Sequence, residues 1–474
     1  MIPNFTRKWL LLVCVVCIAS AFSSCDKDDA KTEENNTHVN NWILENMEVF
    51  YLWNDKIPSK TDKTLYPSDY FETLLSDEDR FSWIQDNYTD LLNALSGVTK
   101  EAGYDFKLMK VTSTDPEVIG YITYVKPQSP AVAASLKRGD WFLTINGEQL
   151  TVDNYGTLLG GMGAAHKIGI VDWDTETIQE VSVDVTVYEE NPLLLDTIYT
   201  MSEDKKVGYF VYNFFARDNG DGSMAYEKEL NQMFGKFKEA AIDELIIDLR
   251  YNGGGAVITA QALASMVSGV STSKVFGITQ YNEQFGQYLR GEYGADYNKS
   301  YFIDALKNEK GTETVPIHKL GLGKLYVLTS ERTASASELL VNALTPFMEV
   351  VMIGGVTVGK NVGSITIYEE NPERQKTNKW GIQPIVAKFA NSVGFSDYGY
   401  GFQPKIFVRE DSTLNDIKPL GDVNELVLRA ALNDIAGLTP AKTRAAVRTM
   451  RDPIGSSANR MPVRQNMYIT LPKR

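Results

Sequence analysis

The sequence predicts an α/β (α+β) multidomain protein: a small N-terminal helical region, a β-rich module, and an α/β core on a central sheet. Three observations predict this. The chain has 474 residues, too many for one ordinary core. From about residue 205 to 436 strand-like and helix-like runs alternate, the pattern of a sheet with crossover helices. Between about 100 and 190 short apolar strands are separated by Gly-containing turns. The composition, 43% hydrophobic and 23% charged, is that of a soluble globular protein. A formal net charge of -14 argues against a nucleic-acid partner, because phosphate binding needs a basic stripe. It also suits substrates that are not strongly acidic.

Residues 1–24 read as a signal peptide. Arg7 and Lys8 make a positive start, Trp9 to Phe22 is an apolar run, and Ser23-Ser24 precede Cys25. The run is too short for an ordinary transmembrane helix. Small residues before a cysteine resemble a bacterial lipobox, which implies lipidation of Cys25 and a membrane anchor through it. Plain signal cleavage with a free Cys25 is the alternative. Cys14 and Cys17 fall inside the discarded segment, so the mature chain has no disulfide and no cysteine metal site. Residues 25–38 are polar and read as a flexible linker. Within them Asp26-Lys27-Asp28-Asp29 resembles the acidic stretch of Bacteroidetes-type lipoproteins sent to the cell surface. The expected place is the cell envelope, as an outer-membrane lipoprotein, periplasmic or surface-exposed.

The helical region spans 39–98, with Trp42, Ile43, Met47, Phe50 and Tyr51 at helical spacing and breaks at Pro58 and Pro67. The module spans 99–192. Gly120 to Val125 is strand-like, Ser129-Pro130-Ala131 opens a short helix, and Trp141 to Ile145 is a strand running into an Asn146-Gly147 turn. This order, with Leu136-Lys137-Arg138-Gly139-Asp140 ahead of the strand, resembles a PDZ domain of the bacterial protease type. The resemblance implies capture of a peptide carboxyl end, for which Gly103-Tyr104-Asp105-Phe106 is the candidate loop. That loop lacks a clean alternation of glycine and apolar residues.

The core spans 193–438. Strands are expected at Val207–Phe215, Glu244–Arg250, Leu325–Thr329 and Val350–Ile353, and helices at Tyr226–Ala240, Ala256–Val267 and Ser335–Leu344. The tail, 439–474, is basic within an acidic chain. It has eight lysines and arginines against the single acid Asp452, and intramolecular docking or a disordered end is expected of it.

Three core segments carry chemistry. Thr333-Ala334-Ser335-Ala336-Ser337-Glu338 sits between a strand and a helix, where helix amides converge on one spot and stabilise an oxyanion. Ser335 and Glu338 are also at the spacing of a capping box, a purely structural reading. Gly355-Val356-Thr357-Val358-Gly359-Lys360 follows a buried strand. A lysine held there is partly desolvated, which favours its neutral form and suits a general base, whereas most lysines are simply exposed. Asp248-Leu249-Arg250-Tyr251-Asn252-Gly253-Gly254-Gly255 leaves a strand with unhindered amides, and no Gly-Lys-Ser/Thr follows to make it a phosphate loop.

Taken in order, the three segments resemble the C-terminal processing, or tail-specific, serine peptidases. Ser335 and Lys360 lie 25 residues apart, as in that family. The resemblance implies a crotonase-like or ClpP-like core, Ser335 as nucleophile and Lys360 as its general base. It implies an oxyanion hole from the amides of Ala336 and of Gly254 or Gly255, and peptide-bond hydrolysis through an acyl-enzyme with no cofactor and no metal. The partner is a protein or peptide substrate. Many relatives carry Gln four residues after the lysine. Here Ser364 stands there, either orienting the amine through its hydroxyl or merely occupying a strand.

His38, His166 and His318 lie in the linker, the module and a segment near no motif, so each reads as a surface or loop residue rather than part of a triad. Two rival readings remain. One is a catalytically inactive peptide- or ligand-binding lipoprotein on the same fold, which has no reason to keep both Ser335 and Lys360. The other is a scaffold in which only the module works.

Overall fold

Val, Ile, Leu and aromatic residues dominate the strands of the core, and their alternation assigns each side chain to one of two faces. The computed structural model describes residues 26–110, 116–411, 417–438, 454–457 and 467–470, with side chains from residue 35 onward. The predicted lipidation site Cys25 lies outside them. The central sheet has six strands in the order Leu193–Thr200, Lys206–Tyr212, Glu244–Asp248, Lys324–Thr329, Glu349–Gly354, Ile406–Phe407. The first is antiparallel to its neighbour and the rest run parallel.

Phe210, Tyr212, Leu245, Ile247, Leu325 and Val327 face the helices Ala225–Glu239, Val257–Ser268 and Ala336–Leu344. Val207, Tyr209, Val211, Ile246, Tyr326, Leu328 and Ile353 face the opposite side, where helix Leu426–Ile435 packs. Covering both faces is what a parallel sheet requires, and it places the strand ends, with their connecting loops, at the working edge.

The module is a seven-stranded sheet. Its path is Gly455–Ser456, Tyr104–Lys110, Val118–Val125, Trp141–Ile145, His166–Asp172 and Thr177–Val183, with Glu148–Gln149 paired to Trp141–Ile145. Asn146 and Gly147, with φ of 53° and 80°, make the two-residue hairpin turn predicted for them. The helix predicted after Ser129 runs from Pro130 to Ala133.

By internal contacts the chain divides into two units, one ending at Tyr88 and also taking residues 366–385, the other containing module and core together. In the first unit Val39, Ile43, Met47, Tyr70, Phe71 and Ile382 form one core, and Trp83–Gln85 pairs antiparallel with Gly381–Gln383. Two expectations are corrected here. Residues 26–38 are not a flexible linker but the start of a helix, Asp26–Phe50. Its C-terminal half buries a stripe at helical spacing, so tertiary packing overrides the polar composition of its first turns. The region is also not purely helical, because Trp83–Gln85 finds a strand partner some 300 residues away.

A buried ionic cluster joins module to core within the second unit. Arg250 donates to Asp248 at 2.7 Å and to Glu425 at 2.8 Å. Glu410 receives Lys107 at 3.2 Å and Arg138 at 3.1 Å, and the Tyr251 hydroxyl donates to it as well. Arg332 donates to Asp105 at 3.1 Å. Burial works to raise the Glu410 carboxyl, but Lys107, Arg138 and Arg250 outweigh it and hold it far below the usual carboxylate range.

Candidate active site

Strand Lys324–Thr329 ends in a loop that delivers Ser335 to the start of helix Ala336–Leu344. Ser335 has φ 67° and ψ −117°, a left-handed conformation that a side chain adopts only under strain. Such a strained strand-to-helix turn is the way a serine is presented at a nucleophile elbow. The residue is fully buried, and its Oγ has no hydrogen-bond partner among the described residues. No hydrogen bond therefore joins Ser335 Oγ to Lys360 Nζ in this conformation. Ala336 is the first helical residue, so its N–H has no carbonyl a turn back within the helix.

Glu338 organises the site. Its side chain is fully buried. Oε2 accepts the backbone N–H of Ser335 at 2.8 Å and the backbone N–H of Lys360 at 2.8 Å. Oε1 accepts the Gly359 N–H at 2.7 Å and the Thr357 hydroxyl at 2.5 Å. One carboxylate thus ties the Ser335 turn to the Lys360 loop. Burial raises its pKa, and these hydrogen bonds only partly offset the rise. Sequence spacing revealed only the local arm of this clamp, the capping-box reach back to Ser335.

Lys360 is 1% exposed, as its Gly-bracketed, apolar context predicted. Its loop is pressed against residues 398–402. A Cβ on Gly359 would stand 2.3 Å from the Gly399 carbonyl oxygen, so only glycine fits there. Four residues on, Ser364 is fully buried in strand Val362–Ser364, and its hydroxyl donates to the Met467 carbonyl at 3.1 Å.

The glycine loop is held against the segment leading into helix Ala336–Leu344 by Asn252, a residue to which sequence reasoning gave no role. Asn252 is buried. Its Nδ2 donates to the Tyr212 carbonyl at 2.9 Å, and its own carbonyl accepts from Ala334 N–H at 3.1 Å and the Ser337 hydroxyl at 3.2 Å. Its Oδ1 accepts the Gly254 N–H at 2.8 Å. Of the three amides expected at an oxyanion hole, that of Gly254 is thus committed to a side chain in this conformation. Gly255, with φ 134°, lies against the Phe215 backbone, where a Cβ would stand 2.0 Å from a carbonyl oxygen.

The module's candidate loop is placed less simply. Gly103 is packed on Ser129, whose hydroxyl donates to the Gly103 carbonyl at 3.2 Å. Tyr104 and Phe106 belong to the module core, and Asp105 is committed to Arg332, two residues before Ala334. His166 is corrected. It is buried rather than on the surface, with Nε2 2.8 Å from the Tyr104 hydroxyl and Nδ1 2.8 Å from the Ala164 carbonyl. His38 and His318 are exposed, His38 on helix Asp26–Phe50.

A serine on a strained helix-entry turn, tied through one carboxylate to a buried lysine at the edge of a parallel sheet, defines a serine-type hydrolase core. Comparison with known proteins narrows this. Residues 206–406 match the model of peptidase family S41, and residues 38–83 match that of the peptidase S41 N-terminal domain. A carboxyl-terminal-processing protease from Picosynechococcus sp. is 24% identical over 399 residues, covering 78% of this chain and 82% of that protein. The crystal structure of a candidate S41 protease from Bacteroides fragilis is 27% identical, with a TM-score of 0.66, covering 84% of this chain and 97% of that one. The chain belongs to peptidase family S41 and is a serine-type peptidase.

Proposed function

We propose that this peptidase is an endopeptidase that cuts envelope or extracellular proteins with Ser335 as nucleophile and Lys360 as general base. The observation that carries the reading is the shared Glu338 oxygen, 2.8 Å from the backbone nitrogen of each residue. A neutral lysine amine takes the serine proton as Oγ attacks the scissile carbonyl. The resulting oxyanion is met by the Ala336 N–H and by an amide of the glycine loop; its collapse breaks the C–N bond as the lysine ammonium gives the proton to the leaving amine, and water then hydrolyses the acyl-enzyme. In such a unit Ser335→Ala and Lys360→Ala each abolish turnover of casein, and the double variant is no worse than either single one. Additive losses would show that the two residues act separately.

The module of residues 99–192 is proposed to be PDZ-like and to present substrate carboxyl ends. Its strand order and its Ser129-Pro130 and Asn146-Gly147 signals support this. A peptide with a free terminal carboxylate then binds more tightly than its amidated twin, and equal affinity leaves the module a structural role. The anchor is proposed to be lipid on Cys25, which places the enzyme in the cell envelope as an outer-membrane lipoprotein. Cys25→Ser should release it from membranes; retention after a high-salt wash would move the anchor elsewhere.

A further inference from the structure

The tail pairs as a strand at two places. The first is the module. Gly455–Ser456 adds as an antiparallel strand beside Tyr104–Lys110, with Gly455 opposite Leu108 and Ser456 opposite Lys107. The Ile454 N–H donates to the Leu108 carbonyl at 2.9 Å, and the Phe106 N–H donates to Ser457 Oγ at 3.3 Å. Gly455 sits in the groove between that strand and helix Tyr155–Gly160. A Cβ there would stand 3.3 Å from the Tyr155 ring and 3.7 Å from Leu108. The tail thus runs toward Gly103 as an added strand, the mode in which peptides augment a sheet edge.

The second place is the catalytic cleft. Met467–Tyr468 lies as a parallel strand between Gly255–Ala256, which ends the glycine loop, and Val362–Ser364, which follows Lys360. Gly255 pairs with Met467, and Ala256 with Tyr468. On the other side the Ile469 N–H donates to the Ser364 carbonyl at 3.1 Å, and Ser364 Oγ donates to the Met467 carbonyl at 3.1 Å. Met467 is fully buried, and Tyr468 walls a cavity with Phe215, Tyr251, Gly253, Gly254 and Gly255.

We propose that the gap between Gly255–Ala256 and Val362–Ser364 is an extended-peptide slot of the catalytic cleft, and that the chain's own tail fills both this slot and the module groove as an intramolecular pseudo-substrate. The proposal rests on the Ser335/Lys360 reading. Both backbone edges of the slot are taken by the tail, so a substrate strand gains them only by displacing it. Covalent attachment gives the tail a high effective concentration. The unengaged Ser335 hydroxyl and the Gly254 amide bound by Asn252 fit a cleft at rest.

The test separates occlusion from catalysis by working in full-length Ser335→Ala protein. Ile469→Pro removes the N–H that Ser364 accepts, loosening the tail at its cleft end. A fluorescein-labelled peptide of residues 454–470 serves as probe. It should bind the Ile469→Pro chain about tenfold more tightly than the unaltered chain, because the open slot is more populated. Equal binding to both, or binding to neither, overturns the proposal. If Ile469→Pro does not fold, hydrogen exchange on the unaltered Ser335→Ala chain decides. Protection at residues 467–470 must fall when the probe is added in excess, and unchanged protection overturns the proposal. Neither readout involves turnover, so failure of the Ser335/Lys360 assignment is distinguishable from failure of this one.

Discussion

Two buried glutamates hold this enzyme together by opposite electrostatics. Glu338, at the Ser335 turn, is met only by neutral donors: two of its bonds come from the Ser335 and Lys360 backbone, one from Gly359 and one from Thr357. Glu410, between module and core, is met by three cations, Lys107, Arg138 and Arg250. Burial pushes both carboxyls up. At Glu338 the dipoles do not fully offset it and the pKa stays raised; at Glu410 the full charges win and the pKa falls. The difference teaches what each is for. A carboxylate among neutral donors fixes geometry at the cost of desolvation, whereas one among cations shares with Glu331, Glu425 and Asp248 the neutralisation of Lys107, Arg138 and Arg250 at the module–core junction.

The sharpest way to separate the two is to replace each by its neutral isostere. Glu338→Gln keeps volume but puts an amide where four donors converge, so the Ser335 and Lys360 backbones drift apart. Turnover of casein should fall roughly 100-fold, the effect of a misplacement near 1 Å, with a smaller change in urea stability. A variant with full turnover would show that the clamp does not position the pair.

Glu410→Gln should do the reverse. It removes an acceptor shared by three buried cations, each of which keeps another carboxylate, and should cost about 1.5–3 kcal/mol in urea unfolding at neutral pH. Because the folded pKa of Glu410 lies below its unfolded value, its contribution is complete above the unfolded carboxyl range and is lost as pH falls through the folded value. The gap between parent and variant should therefore close on acidification. Glu338, with a raised pKa, has the opposite sign: its contribution is present at low pH and is lost as pH rises through the folded value. A Glu410→Gln gap that widens in acid would contradict the assignment. The smallest effect belongs to Ser364→Ala, which removes one hydroxyl bond to Met467 and should change kcat less than about tenfold. A loss as large as that of Lys360→Ala would make Ser364 a third working member in place of the usual Gln.

What could be read from the sequence follows the range of the interactions involved. The alternating core, the short helix after Ser129 and the Asn146-Gly147 turn are set by local periodicity and turn chemistry, and they lie where expected. The three motif segments were visible because glycines and small residues cluster in them. The Glu338 bonds to Gly359 and Lys360, the Asn252 bracket and the strained φ of Ser335 were not, because each depends on segments brought together only by the sheet. The same reason explains the burial of His166 beside Tyr104, the pairing of Trp83–Gln85 with Gly381–Gln383, and the helix through residues 26–38. Nothing local in the tail indicated which sheet edges receive Gly455–Ser456 and Met467–Tyr468.

The central claim, that Lys360 is the base for Ser335, is tested most directly by the casein-hydrolysis rate of a single Lys360→Arg variant. A guanidinium keeps the charge and much of the reach but stays protonated, so it cannot accept the serine proton. The account predicts a rate no higher than that of Ser335→Ala measured alongside; near-normal hydrolysis by Lys360→Arg would contradict it.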